Sequence, residues 1–280
     1  RNHDFSDLSL HLVQLDVIKA LSIIRNSQQY TPPDVGEFLF TLIKENDNSG
    51  NQYSDDTFQY ELILALGRLK LQKDESMEEL LSILDVRVSG SITNNGYCDS
   101  LLSATYIAIT SVIMKIQEDA EPGVIFTKID HNKVLENIKS ILFNNSPFLQ
   151  SKADLFKCLL YLALIEYGIT FSEIVSIVKK LAEGAHKNEA AVCLREIYRL
   201  KYNSLPYGAS NRFDSYLLCL PAKMSKSKNR DAVFFEFVKG PRAIEIAETL
   251  WSILTVDAKY HNALRSECLR AYTEIGRAHV

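Results

Sequence analysis

The 280-residue sequence is poor in the residues that interrupt or decorate a chain: 7 prolines, 11 glycines, 3 methionines and 1 tryptophan. So few breakers leave long stretches free to run as regular elements. The longest wholly apolar run, from Cys158 to Ile165, is closed off by Lys157 and Glu166. That is far short of the roughly 20 apolar residues of a membrane-spanning helix, so no membrane partner is expected. The 5 cysteines (Cys98, Cys158, Cys193, Cys219, Cys268) are odd in number and contain no C-x-x-C pair. This usage suits buried free thiols in a reducing compartment, the cytosol or the nucleus.

Motifs that carry chemistry are also missing. There is no H-E-x-x-H, no G-x-S-x-G elbow, no P-loop and no G-x-G-x-x-G. His3, His11, His131, His186 and His261 share no ligand spacing and read as surface or cap residues. No catalytic residue, metal, cofactor or small-molecule substrate is therefore expected. A net charge of -4 and a pI near 5.9 argue against binding nucleic acid with the whole surface, so any such contact must be a local patch.

What the sequence does contain is helical periodicity almost throughout. Val35, Phe38, Leu39 and Leu42 recur at i, i+3, i+4, i+7, and so do Met77, Leu80, Leu81 and Leu84. Phe171, Ile174, Val175, Val178, Leu181 and Ala182 extend such a stripe over three turns. Starts are marked by capping boxes at Thr170–Glu173 and Ser76–Glu79, by Pro32 and Pro33 after Thr31, and by Asp130 ahead of Val134, Leu135, Ile138 and Ile141. Helices are expected to begin near residues 7, 33, 54, 76, 98, 131, 151, 171, 187, 211, 242 and 260. Only 231–240 reads ambiguously, as a short strand or a helix. Pairing these helices predicts an all-α fold, an α-solenoid of HEAT/armadillo-like antiparallel helix pairs, with an irregular helical bundle as the alternative.

The chain opens on "RNHDFSD" without an initiator Met, which suggests a piece of a longer protein. Its last residues, 275–280, read as the translation of a sequencing-adapter oligonucleotide. The repeat region is accordingly expected to occupy 1–274.

Two segments imitate functional motifs. Lys223-Met224-Ser225-Lys226-Ser227 spells the KMSKS signature of class I aminoacyl-tRNA synthetases. The partner H-I-G-H motif is absent, and helix pairs stand where the β-α-β nucleotide domain would be. What remains is a basic connector, Lys223, Lys226, Lys228 and Arg230. It either solvates a junction or touches nucleic-acid phosphates or an acidic partner. The second segment, "ENDNSGNQYSDD" at 45–56, mimics a calcium loop with Gly50 at the sharp turn. Its first ligand would be Glu45 instead of Asp, and Asp56 is too short for the bidentate last position. Turn chemistry and caps from Ser54 and Asp55 account for its polarity.

Residues 31–70, "TPPDVGEFLFTLIKENDNSGNQYSDDTFQYELILALGRLK", carry a resemblance. Thr31-Pro32-Pro33, Phe38-Leu39, Asn46-Asp47-Asn48 with Asn51, Ser54-Asp55 and Ala65-Leu66 resemble the C-terminal helical-repeat region of the TBP-associated factor two family of TFIID subunits. Segments 12–26 and 265–275 also fit such repeats, while the middle is similar only in its pattern of helices. The resemblance implies a nuclear, non-enzymatic scaffold, downstream of aminopeptidase-like domains, that helps TFIID assemble and engage the core promoter. Its implied partners are other TFIID subunits, with promoter DNA reached as part of the complex. The 45–56 loop, with Asn46, Asp47, Asn48, Asn51 and Asp55, would then be a shaped connector and a partner contact. Two other classes fit the same helices: an unrelated HEAT-repeat adaptor, and the helical C-terminal domain of an M1-type zinc aminopeptidase.

Overall fold

The structure, a computed structural model, describes residues 7–48, 52–72, 79–80, 82–85, 99–119, 130–143, 149–164, 168–202 and 243–278. Within them the regular secondary structure is helical: α1 (Leu8–Ile23), α2 (Pro33–Glu45), α3 (Asp56–Arg68), α4 (Asp99–Asp119), α5 (His131–Phe143), α6 (Leu149–Leu164), α7 (Phe171–Glu183), α8 (Lys187–Tyr202), α9 (Ala243–Ser252) and α10 (Asn262–Ala278). A π-helical turn, Ile253–Asp257, follows α9. The 211 start, the Ser76 cap, the ambiguous 231–240 stretch, Cys98 and Cys219 lie outside the described residues.

Local chemistry starts these helices where the sequence places them. Asp7 Oδ1 accepts from the amide of Leu10, and Asp130 Oδ1 from that of Lys133. Pro33 opens α2, where a missing amide donor costs nothing. At α7 the full capping box forms: Thr170 Oγ1 accepts from the Glu173 amide, and the Glu173 carboxylate accepts from the Thr170 amide at 2.8 Å. His261 Nδ1 likewise accepts from the amide of Leu264 at the head of α10. His11 departs from its expected surface role; it lies buried on the inner face of α1 near Phe58.

The helices gather into two compact units, one ending with α4 and one beginning at Asp130. In the first, α2 and α3 form a hairpin, and α3 is flanked by α1 and α4. Phe58, Leu62, Ile63, Leu64, Ala65, Leu66 and Leu69 are all buried, so α3 is covered on every side. In the second unit, α5–α6, α7–α8 and α9–α10 are successive pairs, and α8 packs on both α6 and α10. Short connections make each pair antiparallel. Stacking between pairs is parallel. Lys19 meets Glu61 and Arg25 meets Arg68, so contacts advance together along α1 and α3. Lys152 with Glu189 and Lys157 with Glu196 do the same for α6 and α8. Pair-on-pair stacking of this kind is the packing of an α-solenoid. The pairs Pro33–Arg68, His131–Leu164 and Phe171–Tyr202 each close within a length near the ~34 residues of a tetratricopeptide unit.

The core follows the expected stripes with one shift of register. Leu80 and Leu84 are buried, as are Ile174, Val175, Val178, Leu181 and Ala182. On α2, however, the buried set is Gly36, Leu39, Phe40 and Ile43, while Phe38 is 48% exposed. Both sets satisfy i, i+3, i+4, i+7 because the apolar arc of this helix is wide, with Asp34, Glu37, Thr41, Lys44 and Glu45 gathered on the remaining face. The stripe containing Gly36 is the one that faces inward.

Close approach is tightest at Gly67, where a Cβ would stand 2.6 Å from Ala108 Cα on α4. Gly67→Ala should therefore lower the unfolding free energy by about 1–3 kcal/mol through overpacking. Gly36→Ala, whose Cβ would meet Leu71 at an ordinary 3.4 Å, should be neutral or stabilising by up to about 1 kcal/mol. Urea denaturation of the two variants checks the contrast.

Candidate functional site

The polar loop between α2 and α3 closes on Asp55, which is buried. Its carboxylate accepts from Asn46 Nδ2 at 2.7 Å and from Gln59 Nε2 at 2.8 Å, tying the end of α2 to the start of α3. Asn48 Nδ2 donates to the Tyr53 carbonyl at 2.7 Å, folding the loop on itself. The expected cap is corrected here: Asp55 occupies the N-cap of α3, but its carboxylate takes these side-chain amides instead of a backbone amide. Ser54 Oγ accepts from the amide of Asp56 at 3.2 Å. With both Asp55 oxygens engaged by amides, the loop is built as a hairpin clamp. Asp47 stays exposed on it, and Asn51 lies outside the described residues. Among the described residues no cluster of three or more His, Cys, Asp or Glu is placed to hold a metal.

Lys223, Lys226, Lys228 and Arg230 also lie outside the described residues. The structure therefore brings Asn46 and Asp55 together with Gln59 in one clamp, sets Asn48 on the Tyr53 carbonyl, and leaves the basic connector undescribed.

Periodicity alone missed an ionic seam in the second unit. Lys152, Asp154 and Lys157 of α6 and Glu196 of α8 are all buried. Lys152 Nζ donates to Glu189 Oε1 at 3.0 Å, and Lys157 Nζ lies 3.5 Å from Asp154 and 3.4 Å from Glu196. His186 Nδ1 is 3.4 Å from the same Glu189 oxygen. Burial pushes the Glu189 carboxyl up, but hydrogen bonds from Lys152, its own backbone amide and His186 outweigh it. The net pKa lies below the ordinary 4.5. The signal available in the sequence was Lys152, Asp154 and Lys157 leading into the apolar run that begins at Cys158. These ion pairs tie α6 to α8.

Among the described residues, Cys158, Cys193 and Cys268 are buried thiols outside any disulfide. Burial, with Glu196 and Glu189 nearby, pushes the Cys193 thiol well up. Burial, with Glu267 and Asp257, raises Cys268 to about 12. One surface cleft, of about 340 Å³, lies between α9 and α10 and is lined by Ile244, Ala247, Glu248, Trp251, Tyr272 and Ile275. The Trp251 and Tyr272 rings tilt against each other at 5.4 Å. No described helix is long and apolar enough to cross a membrane.

Comparison with known proteins agrees with the resemblance read from the sequence. The family described as "TAF2-like, TPR repeats" matches residues 1–72. Transcription initiation factor TFIID subunit 2 of Drosophila melanogaster is 25% identical over 169 residues, which is 60% of this chain and 12% of that protein. The chain thus spans about an eighth of the relative it matches. No solved structure matches.

Breaking the ionic seam should be costly. Glu189→Gln takes from buried Lys152 the carboxylate it donates to and should cost about 3 kcal/mol near pH 7. A carboxylate with a lowered folded pKa stabilises above its ordinary value of 4.5 and loses that contribution as pH falls through the folded value. The gap between wild type and variant should therefore shrink from about pH 4.5 downwards, as read from urea midpoints across pH.

Proposed function

We propose that this chain, similar to the C-terminal helical-repeat region of TFIID subunit 2, is a non-catalytic scaffold module of TFIID. In this reading it works in the nucleus, alongside other TBP-associated factors, to support assembly of the complex and engagement of the core promoter for RNA polymerase II initiation. The observation that carries the reading is the family match over residues 1–72, the same segment in which the Thr-Pro-Pro entry and the Asn-Asp-Asn loop stand. The stacked helix pairs suit a scaffold, because they present rows of helix ends and inter-helix loops to partner chains. The clamp of Asn46, Asp55 and Gln59 ties together the two ends of one such loop, and Asp47, Asn48 and Asn51 are its partner contact.

Tagged protein should co-purify with other TFIID subunits from nuclear extract; recovery with none of them would sink the reading. A separate arm concerns DNA. Charge reversal at Lys223, Lys226, Lys228 and Arg230 should weaken binding of a promoter fragment and flatten its dependence on salt, since each phosphate contact contributes roughly one unit of slope. Unchanged affinity and slope would remove the connector from the interface.

A further inference from the structure

The cleft between α9 and α10 brings an aliphatic wall, two aromatic rings and a carboxylate together. On α9, Ile244, Ala247, Glu248 and Trp251 follow i, i+3, i+4, i+7 along the cleft, while Ile246 and Leu250 are buried on the other side of the helix. Tyr272 of α10 faces them. Trp251 is 52% and Tyr272 38% exposed, so their tilted rings form an open aromatic corner. Glu248 is exposed one helical turn from Trp251 and is the one charged residue in the lining. Among the described residues it forms no ion pair.

These groups select what can sit there. A single-stranded nucleic acid could stack a base on Trp251, but its phosphates need cations and the lining offers a carboxylate instead. An apolar helix laid over the cleft would bury Glu248 without a partner, a placement that desolvation penalises heavily. A cationic side chain with an apolar stem satisfies every wall. Its charge meets the carboxylate and the ring face, and its stem covers the aliphatic residues. A guanidinium suits this better than an ammonium, because it is planar, stacks flat on a ring and forks two donors onto one carboxylate. Glu248 and Trp251, with Cβ atoms about 5–6 Å apart at this spacing, lie within reach of the same guanidinium.

We propose that this cleft docks an arginine side chain from a basic segment of a partner polypeptide. The guanidinium lies on the Trp251 ring and pairs with Glu248, and the stem runs against Ile244 and Ala247. Charge complementarity extends beyond the cleft, since α9 carries Glu245 and Glu248 and no basic side chain. The volume of about 340 Å³ falls at the low end of the roughly 300–1,000 Å³ of ligand pockets, a scale that suits one anchoring side chain. The walls are held from behind. α9 packs on α7, α10 packs on α8, and Lys187 at the head of α8 donates to the Asp257 carbonyl in the turn between α9 and α10. Every group used here precedes residue 275, and the proposal does not rest on membership of TFIID.

Trp251 is the one tryptophan of the sequence, so its fluorescence reports on the cleft directly. The 280-residue chain is titrated with an end-blocked Arg-Ala repeat peptide and with its lysine and citrulline counterparts. The arginine peptide should change the emission saturably. The lysine peptide should bind about threefold more weakly, and the neutral citrulline peptide at least about tenfold more weakly. Glu248→Gln, at an exposed position, should weaken the arginine peptide at least about threefold without moving the urea midpoint. Glu245→Gln removes the same charge outside the cleft and should change affinity less than about twofold. The proposal is overturned by an emission that does not saturate, by equal binding of the arginine and citrulline peptides, or by equal weakening in the two variants, which would mean long-range attraction only. Tighter binding of a Leu-Ala repeat peptide or of oligothymidylate would overturn it too, in favour of an apolar partner or a nucleic acid.

Discussion

Lys115, buried on α4, reaches the end of α3 and donates to the carbonyls of Gly67 at 2.6 Å and Leu69 at 3.1 Å. The last carbonyls of a helix have no partner within it, and a buried end must find donors elsewhere. Here the donors come from both flanks: Arg25, just past α1, gives a hydrogen bond to the Arg68 carbonyl at 2.8 Å. Arg68 in turn donates to Ser22 Oγ on α1, and Thr31 exchanges bonds with Lys70. Apolar faces can slide along one another with little penalty. A buried cation that must land on particular carbonyls cannot. The register of α1, α3 and α4 depends on these polar ties, and Gly67 lets α4 come close enough to make them.

The second unit solves the same problem with carboxylates. Lys152 and Lys157 on α6 meet Glu189 and Glu196 on α8, and Arg195 meets Glu267 on α10 at 3.2 Å. Lys187 adds a bond to the Asp257 carbonyl at the π-helical turn. Buried pairs of this kind contribute little net stability against an apolar replacement, but losing one partner is expensive. Their consequence is positional. In the proposed scaffold role position is the functional quantity, since loops and helix ends are only as well placed as the helices beneath them.

Much of this was legible in the sequence. Asp7, Pro33, Asp130 and Thr170 mark helix starts by chemistry that acts within one turn, so no tertiary knowledge was needed. The segment that resembles TFIID subunit 2 was readable for the same reason, because its proline entry and polar loop are local. The inward face of α2 was not. Val35-Phe38-Leu39-Leu42 and Gly36-Leu39-Phe40-Ile43 obey the same periodicity, and only contact with neighbouring helices chooses between them. Nor could spacing reveal Lys115, Lys152 or Lys157 as buried, because a lysine in a helix ordinarily faces water and burial depends on a partner far along the chain. In the polar loop, sequence reading expected turn chemistry and a cap from Asp55, whose carboxylate instead takes the side-chain amides of Asn46 and Gln59.

The account stands on buried cations fixing how successive helices stack, and Lys115, bonded to the end of α3, is a direct instance. Lys115→Met keeps the length and apolar stem of the side chain while removing its donors from Gly67 and Leu69. Equilibrium urea unfolding of this variant against wild type is the direct measurement. The account predicts a loss of about 1.5–3 kcal/mol, the range for hydrogen bonds from a charged donor whose acceptors are left buried. A variant as stable as wild type, or more stable, would contradict it.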